Sequence, residues 1–369
     1  MKFFHLADLH LGIRVCEFSL LEDQAYLLEG IFEEAKKQKP DAVLLAGDLY
    51  DRLTPPVEAV RLFGRFVSEL SDLGIKVFLI PGNHDSGDRM SFCASLIEKS
   101  GVYIAGEYRA PLEPVVLHDA FGTVEVFLLP FVRPADVRRV YPDETIETYT
   151  DAVRTALSGA QSEEGARRVL LSHQFVTAGA SDPVAVGGTD NVDLSVYHGF
   201  SYVALGHIHT ARTFFDGRVR YAGAPLAYTF GEVGTVKSFT VCDLDAQGNV
   251  TLSECPVRPL RPMRELYGTF ASLLARDADA DAYYRVTLTD EEDVPEALAE
   301  LRHRFPYIMQ LVYDNTRTRA ATALSFEEDL PVRDPLTLFS EFYELQNGQP
   351  MSAEAERVLR AMIGEVFDR

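Results

Sequence analysis

The sequence has no tryptophan and only four cysteines, and none of its apolar runs reaches membrane-spanning length. The stretches AVLLAG, VFLI and VFLLP are as long as strands, well short of the roughly 20 residues a bilayer helix requires, so no membrane span is expected. Cys16, Cys93, Cys242 and Cys255 are scattered and form no C-x-x-C pair, which points to incidental thiols in a reducing, cytoplasmic setting. The opening MKFFHLADLHLGI is interrupted by His5, Asp8 and His10. It therefore lacks the h-region of about 7–15 apolar residues that a secretion signal needs. Positive charge is scarce too: 35 Lys and Arg against 56 Asp and Glu give a net charge of −21. A chain that grips nucleic acid by itself normally presents a basic face, and this composition argues against unaided binding.

What is present suits a globular protein. Hydrophobic residues make up 47% of the chain, and 23 Phe with 16 Tyr can fill a core without tryptophan. A length of 369 residues predicts two folded parts. Five short apolar runs recur through the first 210 residues: FFHLA before Asp8, AVLLAG before Asp48, KVFLIP before Gly82, RVLLS before His173 and YVALG before His207. Each has the composition of a buried strand and ends in a polar cluster. Helical patterns lie between some of them, such as DQAYLLEGIFEEAKKQ and PVEAVRLFGRFVSELSDLG. Strands alternating with helices predict an α/β layered domain. RVRYAGA, KSFTVCDLD and NVTLSECPV follow without long helices and are expected to complete a second sheet, making a β-sandwich flanked by helices.

The segment PVRPLRP at 256–262 breaks the pattern and is placed as a linker. Beyond it, YYRVTLTDEEDVPEALAELRHRFPYIMQLVYD reads strand–helix–strand, a small α/β unit. The expected domains are therefore 1–257, a small α/β capping domain over 258–331, and a C-terminal helix-loop-helix over 332–369. In that last part Asp334-Pro335 sets an N-cap and a Pro at the first helical position, opening PLTLFSEFYELQ, which stops at Asn347-Gly348. Ser352 caps a second helix, on which Val358, Leu359, Met362, Ile363, Val366 and Phe367 form one apolar stripe.

The chemistry-bearing residues stand where the apolar runs end: Asp8 and His10; Gly47, Asp48 and Asp51; Gly82, Asn83, His84 and Asp85; His173; and Gly206, His207 and His209. The carboxyl ends of strands are where open α/β sheets place ligand sites. In an extended segment residues i and i+2 share a side, so Asp8 with His10, and His207 with His209, would each aim two ligand atoms into one cavity. Gly47, Gly82 and Gly206 are expected to let the backbone turn sharply. Carboxylate, imidazole and amide oxygen together suit first-row divalent ions such as Mn²⁺, Fe²⁺ or Zn²⁺. Two such ions about 3.5–4 Å apart can activate water and offset charge in an in-line phosphoryl displacement. Asp48 is the natural bridge, with Asp8, His10 and His209 completing one ion and Asn83, His173 and His207 the other. His84 would face the scissile phosphate, since imidazole exchanges protons near neutral pH, and Asp51 is placed to orient it.

D-x-H, G-D-x-x-D, G-N-H-D, a lone His and G-H-x-H in series resemble the calcineurin-like metallophosphoesterases. HLADLHLG, AGDLYDR, PGNHD, GHIH and the closing DPLTLFSEFYELQNGQPM are similar to the SbcD-type branch and its Mre-type relatives. The resemblance spans essentially the whole chain. It implies Asp8, His10, Asp48, Asn83, His173, His207 and His209 as ligands of two divalent ions, Mn²⁺ being the usual activator, with His84 catalytic and Asp51 supporting. It further implies endonuclease and 3′→5′ exonuclease action on DNA ends and hairpins in the cytoplasm, on the nucleoid. The partners it implies are an SMC-like ATPase of the SbcC type and a second copy of the chain, a homodimer within a heterotetramer formed through helices near 57–72 and 88–99. Under this reading the ATPase carries much of the basic surface, while Arg14, Arg52, Arg89, Arg133, Arg138 and Arg139 supply a local rim.

Phosphoprotein phosphatases differ in having G-D-x-x-D-R-G and G-N-H-E, whereas here Leu53 follows Arg52 and Asp85 follows His84. A small-substrate phosphodiesterase of the same superfamily is the alternative, although it needs neither the capping unit nor the helical tail. A retired, purely binding scaffold would lack ligands, and none is missing.

Overall fold

The computed structural model describes residues 1–177, 190–277, 279–319, 335–347, 349–352 and 355–360. The chain forms two compact units. The first is Met1–Tyr267, Ala271–Thr287 and Glu296–Val312; the second is Gly268–Phe270, Leu288–Pro295 and Tyr313–Arg369.

Two six-stranded sheets build the first unit. One runs in the order Val250–Pro256, Ser238–Leu244, Lys2–Leu6, Ala42–Ala46, Lys76–Ile80, Val102–Ile104; its last four strands are parallel. The other runs Arg212–Phe214, Val219–Tyr221, Tyr202–Gly206, Arg167–His173, Gly122–Leu129, Val115–Asp119, with a parallel centre and an antiparallel strand at each edge.

The near-continuous apolar runs follow from burial on both faces. Phe3, Leu44, Ala46, Phe78 and Ile80 meet Val169, Leu171, Tyr202 and Ala204 in a core between the sheets. The alternate residues Phe4, Leu6, Val43, Leu45, Val77 and Leu79 face outward instead. There they pack under helices Leu21–Gln38 and Val57–Asp72, while Leu170, Val203 and Leu205 on the other sheet pack under helix Tyr149–Ser158. The α/β sandwich flanked by helices expected from the sequence is the fold observed.

The hairpin Ser238–Leu244 and Val250–Pro256 departs from expectation. It does not extend the second sheet with Val219–Tyr221; it pairs antiparallel with Lys2–Leu6 and closes the edge of the first. The pattern of Ser238–Leu244 explains the choice. Phe239 and Val241 enter the outer core while Cys242 and Leu244 enter the core between the sheets, so the strand satisfies both faces at that edge.

After the linker, Met263–Gly268 adds a third strand to Tyr283–Leu288 and Ile308–Tyr313, with helix Ala297–Arg302 between the last two in sequence. In the second unit Pro335 begins helix Pro335–Asn347 as its position in the sequence predicts. Residues 355–360 are helical, and Ser352 Oγ accepts the Ala355 N–H at 3.2 Å, as a cap does. Of the apolar stripe, Val358 and Leu359 are described; Met362, Ile363, Val366 and Phe367 lie outside the described residues, as do Asp334 and Gly348. The segment 88–99 is not one helix. It divides into Gly87–Met90, Ala94–Ile97 and the single turn Glu98–Ser100, broken at Cys93, whose φ is +61°.

Candidate metal centre

Parallel register sets the carboxyl ends of the strands side by side: Leu6 pairs Leu45, and Ala46 pairs Ile80. Asp8, Asp48 and Asn83 therefore leave the first sheet in a row. On the second sheet Gly206 pairs His173, which puts His207 next to His173. The loops are laced by main-chain bonds from Asp8 N to Gly47 O (3.0 Å), His10 N to Asp48 O (2.9 Å) and Leu11 N to Leu49 O (2.9 Å).

The paired ligands share a side for a different reason from the one the sequence suggests. Asp8, His10, Asp48 and His207 are not extended; their φ values are +54°, +42°, +50° and +105°. Left-handed turns straight after the strands swing these side chains into one cavity, a conformation uncommon for non-glycine residues but most open to Asp and His. The glycines have two roles. Gly47 has a φ of +87°, so it turns the chain, and a Cβ on it would also collide with the His173 ring. Gly82 and Gly206 lack a positive φ; a Cβ on Gly82 would collide with the Asp48 carboxylate, and one on Gly206 with the Ala46 carbonyl and His173. All three permit close approach.

Two groups of donors face each other across Asp48. In the first, His10 Nε2 lies 3.1 Å from His209 Nε2, and ligand atoms of Asp8, His10 and His209 all lie within 4.8 Å of one another. In the second, Asn83 Oδ1 is 3.2 Å from His173 Nε2 and 3.0 Å from His207 Nδ1. Asp48 Oδ2 lies 3.3 Å from His173 Nε2 and 3.7 Å from His10 Nε2, while its Oδ1 accepts the His84 N–H at 2.9 Å. His173 Nδ1 is engaged by Ala46 O at 2.8 Å, which turns Nε2 toward the cavity.

These residues fit a pair of cations. Asp8 Oδ1 accepts the His207 N–H at 2.9 Å, but its Oδ2 is buried without a partner among the described residues, a costly state for a carboxylate oxygen. Two imidazole nitrogens 3.1 Å apart need a proton or a cation between them. Burial, with Asp48 adding to it, pushes the Asp8 carboxyl up to about 7, and burial pushes His10 and His207 down to about 4. Burial opposes charge on Asp48 as well, yet His173, joined to it by charge and hydrogen bond, holds its carboxyl well below the usual range. In return His173, despite its own burial, rises to about 9 through Asp48. The cavity is thus short of positive charge, and a proton on His173 fills a place a divalent ion can take.

His84 is exposed at the mouth, its ring edge-on to His10 at 4.9 Å between centroids. Its Nδ1 meets the main-chain carbonyl of Asp51 at 2.9 Å, so Asp51 reaches it through the backbone; the Asp51 carboxylate lies 3.7 Å from Arg52. Arg133 and Arg139 line a cavity of about 490 Å³ together with Gly82 and Asn83. Arg139 is paired with Asp136 at 2.8 Å, and Arg138 donates to Ile146 O. Arg14 pairs with Glu17 on a small hairpin, and Arg89 is exposed on helix Gly87–Met90.

Two residues here have roles that the sequence did not assign, although Asp85 stands among its candidates. Asp85, buried, accepts from Leu49 N (3.0 Å), Tyr50 N (2.9 Å) and Gly82 N (2.9 Å) and so ties the Asp48 loop to the Asn83 loop. Its place beside His84 was the available signal. Tyr228 stands edge-on to both His10 and His209, at 5.6 and 6.0 Å between centroids. Nothing in its neighbourhood along the chain marks it.

Residues 1–211 match the calcineurin-like phosphoesterase family, and residues 259–347 match the type 5 capsule protein repressor C-terminal domain. Among curated proteins the chain is similar to the SbcD subunit of the SbcCD nuclease from Staphylococcus epidermidis, 28% identical with all of both chains covered. Two solved structures align more loosely. One is TT1561 of Thermus thermophilus, at a TM-score of 0.42 and 14% identity over 70% of this chain and 99% of that one. The other is a dimetal phosphatase from Danio rerio, at 0.39 and 14% over 69% of this chain and 95% of that one.

Proposed function

The chain belongs to the calcineurin-like phosphoesterase family, and on that footing we propose that it is the nuclease subunit of a DNA-end-processing complex, hydrolysing phosphodiester bonds. The observation that carries the reading is Asp48 standing between Asp8, His10 and His209 on one side and Asn83, His173 and His207 on the other. Those residues would hold two divalent ions, Mn²⁺ by our assignment, with Asp48 shared. When bound, such ions supply a nucleophilic water at neutral pH and positive charge for the phosphoryl oxygens.

The chain's own groups do the rest. His84, its Nδ1 taken by the Asp51 carbonyl, offers Nε2 to the phosphate or the leaving oxygen, to stabilise charge or deliver a proton. Asp85 keeps the two loops that carry Asp48 and Asn83 in register. Arg52 and Arg133, at the mouth and along the adjoining cavity, steer the DNA backbone, with Arg14 and Arg89 assigned to the same rim.

Partners belong to the proposal as well. The 28% likeness to a component of the SbcCD nuclease supports an SbcC-type, SMC-like ATPase as partner, docked by the helices of 332–369, with 258–331 as the capping domain. Exposed Val57, Val60, Phe92 and Leu96 support a homodimer, hence a heterotetramer. No helix among the described residues is long and apolar enough to cross a membrane, in keeping with a place of action on the nucleoid in the cytoplasm.

The test is a Mn²⁺-supplemented assay on linear duplex, hairpin and single-stranded circular DNA, alone and with the ATPase. Cleavage in either setting is expected. Wild-type protein that leaves all three intact while hydrolysing a small chromogenic diester would replace this reading with a small-substrate phosphodiesterase.

A further inference from the structure

Helix Leu21–Gln38 carries a fully buried glutamine, Gln24, that contributes no donor to the metal centre. Its side-chain amide makes three bonds to one short stretch of main chain. Nε2 donates to Leu9 O at 3.0 Å and to His10 O at 2.8 Å, and Oε1 accepts the Gly12 N–H at 2.9 Å. Two carbonyls and one N–H are satisfied together in a single orientation of the amide, so the partners fix which atom is which.

The stretch it grips is a strained one. Asp8, His10 and Gly12 have φ values of +54°, +42° and +89°, a region uncommon for residues other than glycine. Such a conformation survives only where the surroundings over-determine it. Here the Leu9 carbonyl takes a second bond from Tyr228 Oη at 2.5 Å, and the His10 carbonyl a second from Ile13 N at 3.0 Å. The gripping helix is itself anchored one residue earlier. Asp23, buried, accepts from Tyr283 Oη at 2.7 Å, from Arg261 N at 3.1 Å and from Arg261 Nη1 at 3.4 Å.

Resting on the two-metal reading above, we propose that Gln24 is a positioning residue for His10. It holds the His10 peptide in the left-handed turn that presents the imidazole beside His209 and Asp48, and the Asp23–Arg261–Tyr283 anchor sets the helix from which it acts. Because Asn83, His173 and His207 are held by other bonds, the effect of Gln24 is confined to one of the two ions. Residues that orient a ligand typically change metal affinity by about 10–100-fold.

The experiment uses the full chain, with Mn²⁺ as the probe. Gln24→Met keeps the shape and removes all three bonds; Gln24→Glu keeps the Gly12 contact and sets oxygen against the two carbonyls, which gives a second folded form should the first fail to fold. Calorimetric titration counts ions and affinities, and electron paramagnetic resonance distinguishes a coupled Mn²⁺ pair from a lone ion. Expected is a loss of about 10–100-fold in the affinity of one ion, replacement of the pair signal by the lone-ion signal at limiting Mn²⁺, and recovery of DNA cleavage at saturating Mn²⁺. Wild-type protein that binds fewer than two ions would defeat the two-metal reading itself. If wild type binds two, then variants that bind both as tightly, or that lose both equally, overturn the positioning role alone.

Discussion

Oδ2 of Asp48 lies 3.3 Å from Nε2 of His173, with both side chains almost wholly removed from solvent. At that separation in a buried site the attraction is strong. It outweighs the desolvation that would otherwise neutralise both groups: His173 rises to about 9, and Asp48 falls well below the ordinary carboxylate range. A position that demands positive charge so strongly is the place to probe for cations.

Asp48→Asn removes the shared charge while keeping shape. Bound Mn²⁺ should fall from two ions to at most one, and DNA cleavage by at least about 100-fold. Elemental analysis of dialysed protein, read beside the cleavage rate, checks this. Two tightly held ions in the variant would rule out the bridging role.

His84→Ala should leave the metal content unchanged and slow cleavage by about 10²–10⁴-fold, the range for losing a proton donor or charge stabiliser. Asp51→Ala should cost no more than about threefold, or ~0.6 kcal/mol, because His84 is met by the Asp51 main-chain carbonyl, which the substitution retains. Equal damage from both variants would mean that the Asp51 carboxylate acts directly.

His5 supplies an acid-sensitivity prediction away from the metal centre. It lies buried between the sheets, its Nδ1 2.8 Å from Tyr202 Oη and its Nε2 3.2 Å from Leu205 O. Burial, with Arg220 adding to it, lowers it from 6.5 to about 3. The unfolded chain therefore takes up this proton first as pH falls. Stability that is complete above pH 6.5 is lost toward pH 3, by up to about 1.4 kcal/mol per pH unit. Urea unfolding between about pH 7 and 4.5 should show that decline, and His5→Gln should flatten part of it. An identical pH slope in the variant would show that His5 does not stay neutral.

A net charge of −21 predicts weak, shallow salt dependence of duplex binding by the isolated chain and a steeper one for its complex with the ATPase. Deleting residues 334–369 should abolish co-purification with that ATPase while sparing Mn²⁺-dependent cleavage. Duplex affinity and salt slope already as large without the ATPase would refute the division of labour, and loss of folding on truncation would show that the tail packs on its own chain.

That these side chains converge could be read from the sequence because their clusters follow apolar runs, and parallel register turns equal places along strands into neighbouring places in space. Asp8, Asp48 and Asn83 illustrate this. The local geometry could not be read: the pairs Asp8/His10 and His207/His209 converge by left-handed turns, and a sequence does not mark which non-glycine residues are held there. Gln24 and Tyr228 were hidden for another reason. Their partners stand at Leu9, His10 and His209, and a bond to a backbone carbonyl leaves no signature in the identity of the residue that accepts it. The hairpin at 238–256 joins the first sheet rather than the second, a pairing between residues over 230 positions apart that no local pattern announces.

Asp8, Asp48 and Asn83 come from one sheet and His173 and His207 from the other, so the donor set spans the sandwich at the end where its strands finish. A pair of metal ions seated there would act as a rivet through both layers. Chelation would then soften the body of the enzyme together with its chemistry, and a cell starved of the metal would lose the protein to proteolysis as well as its activity.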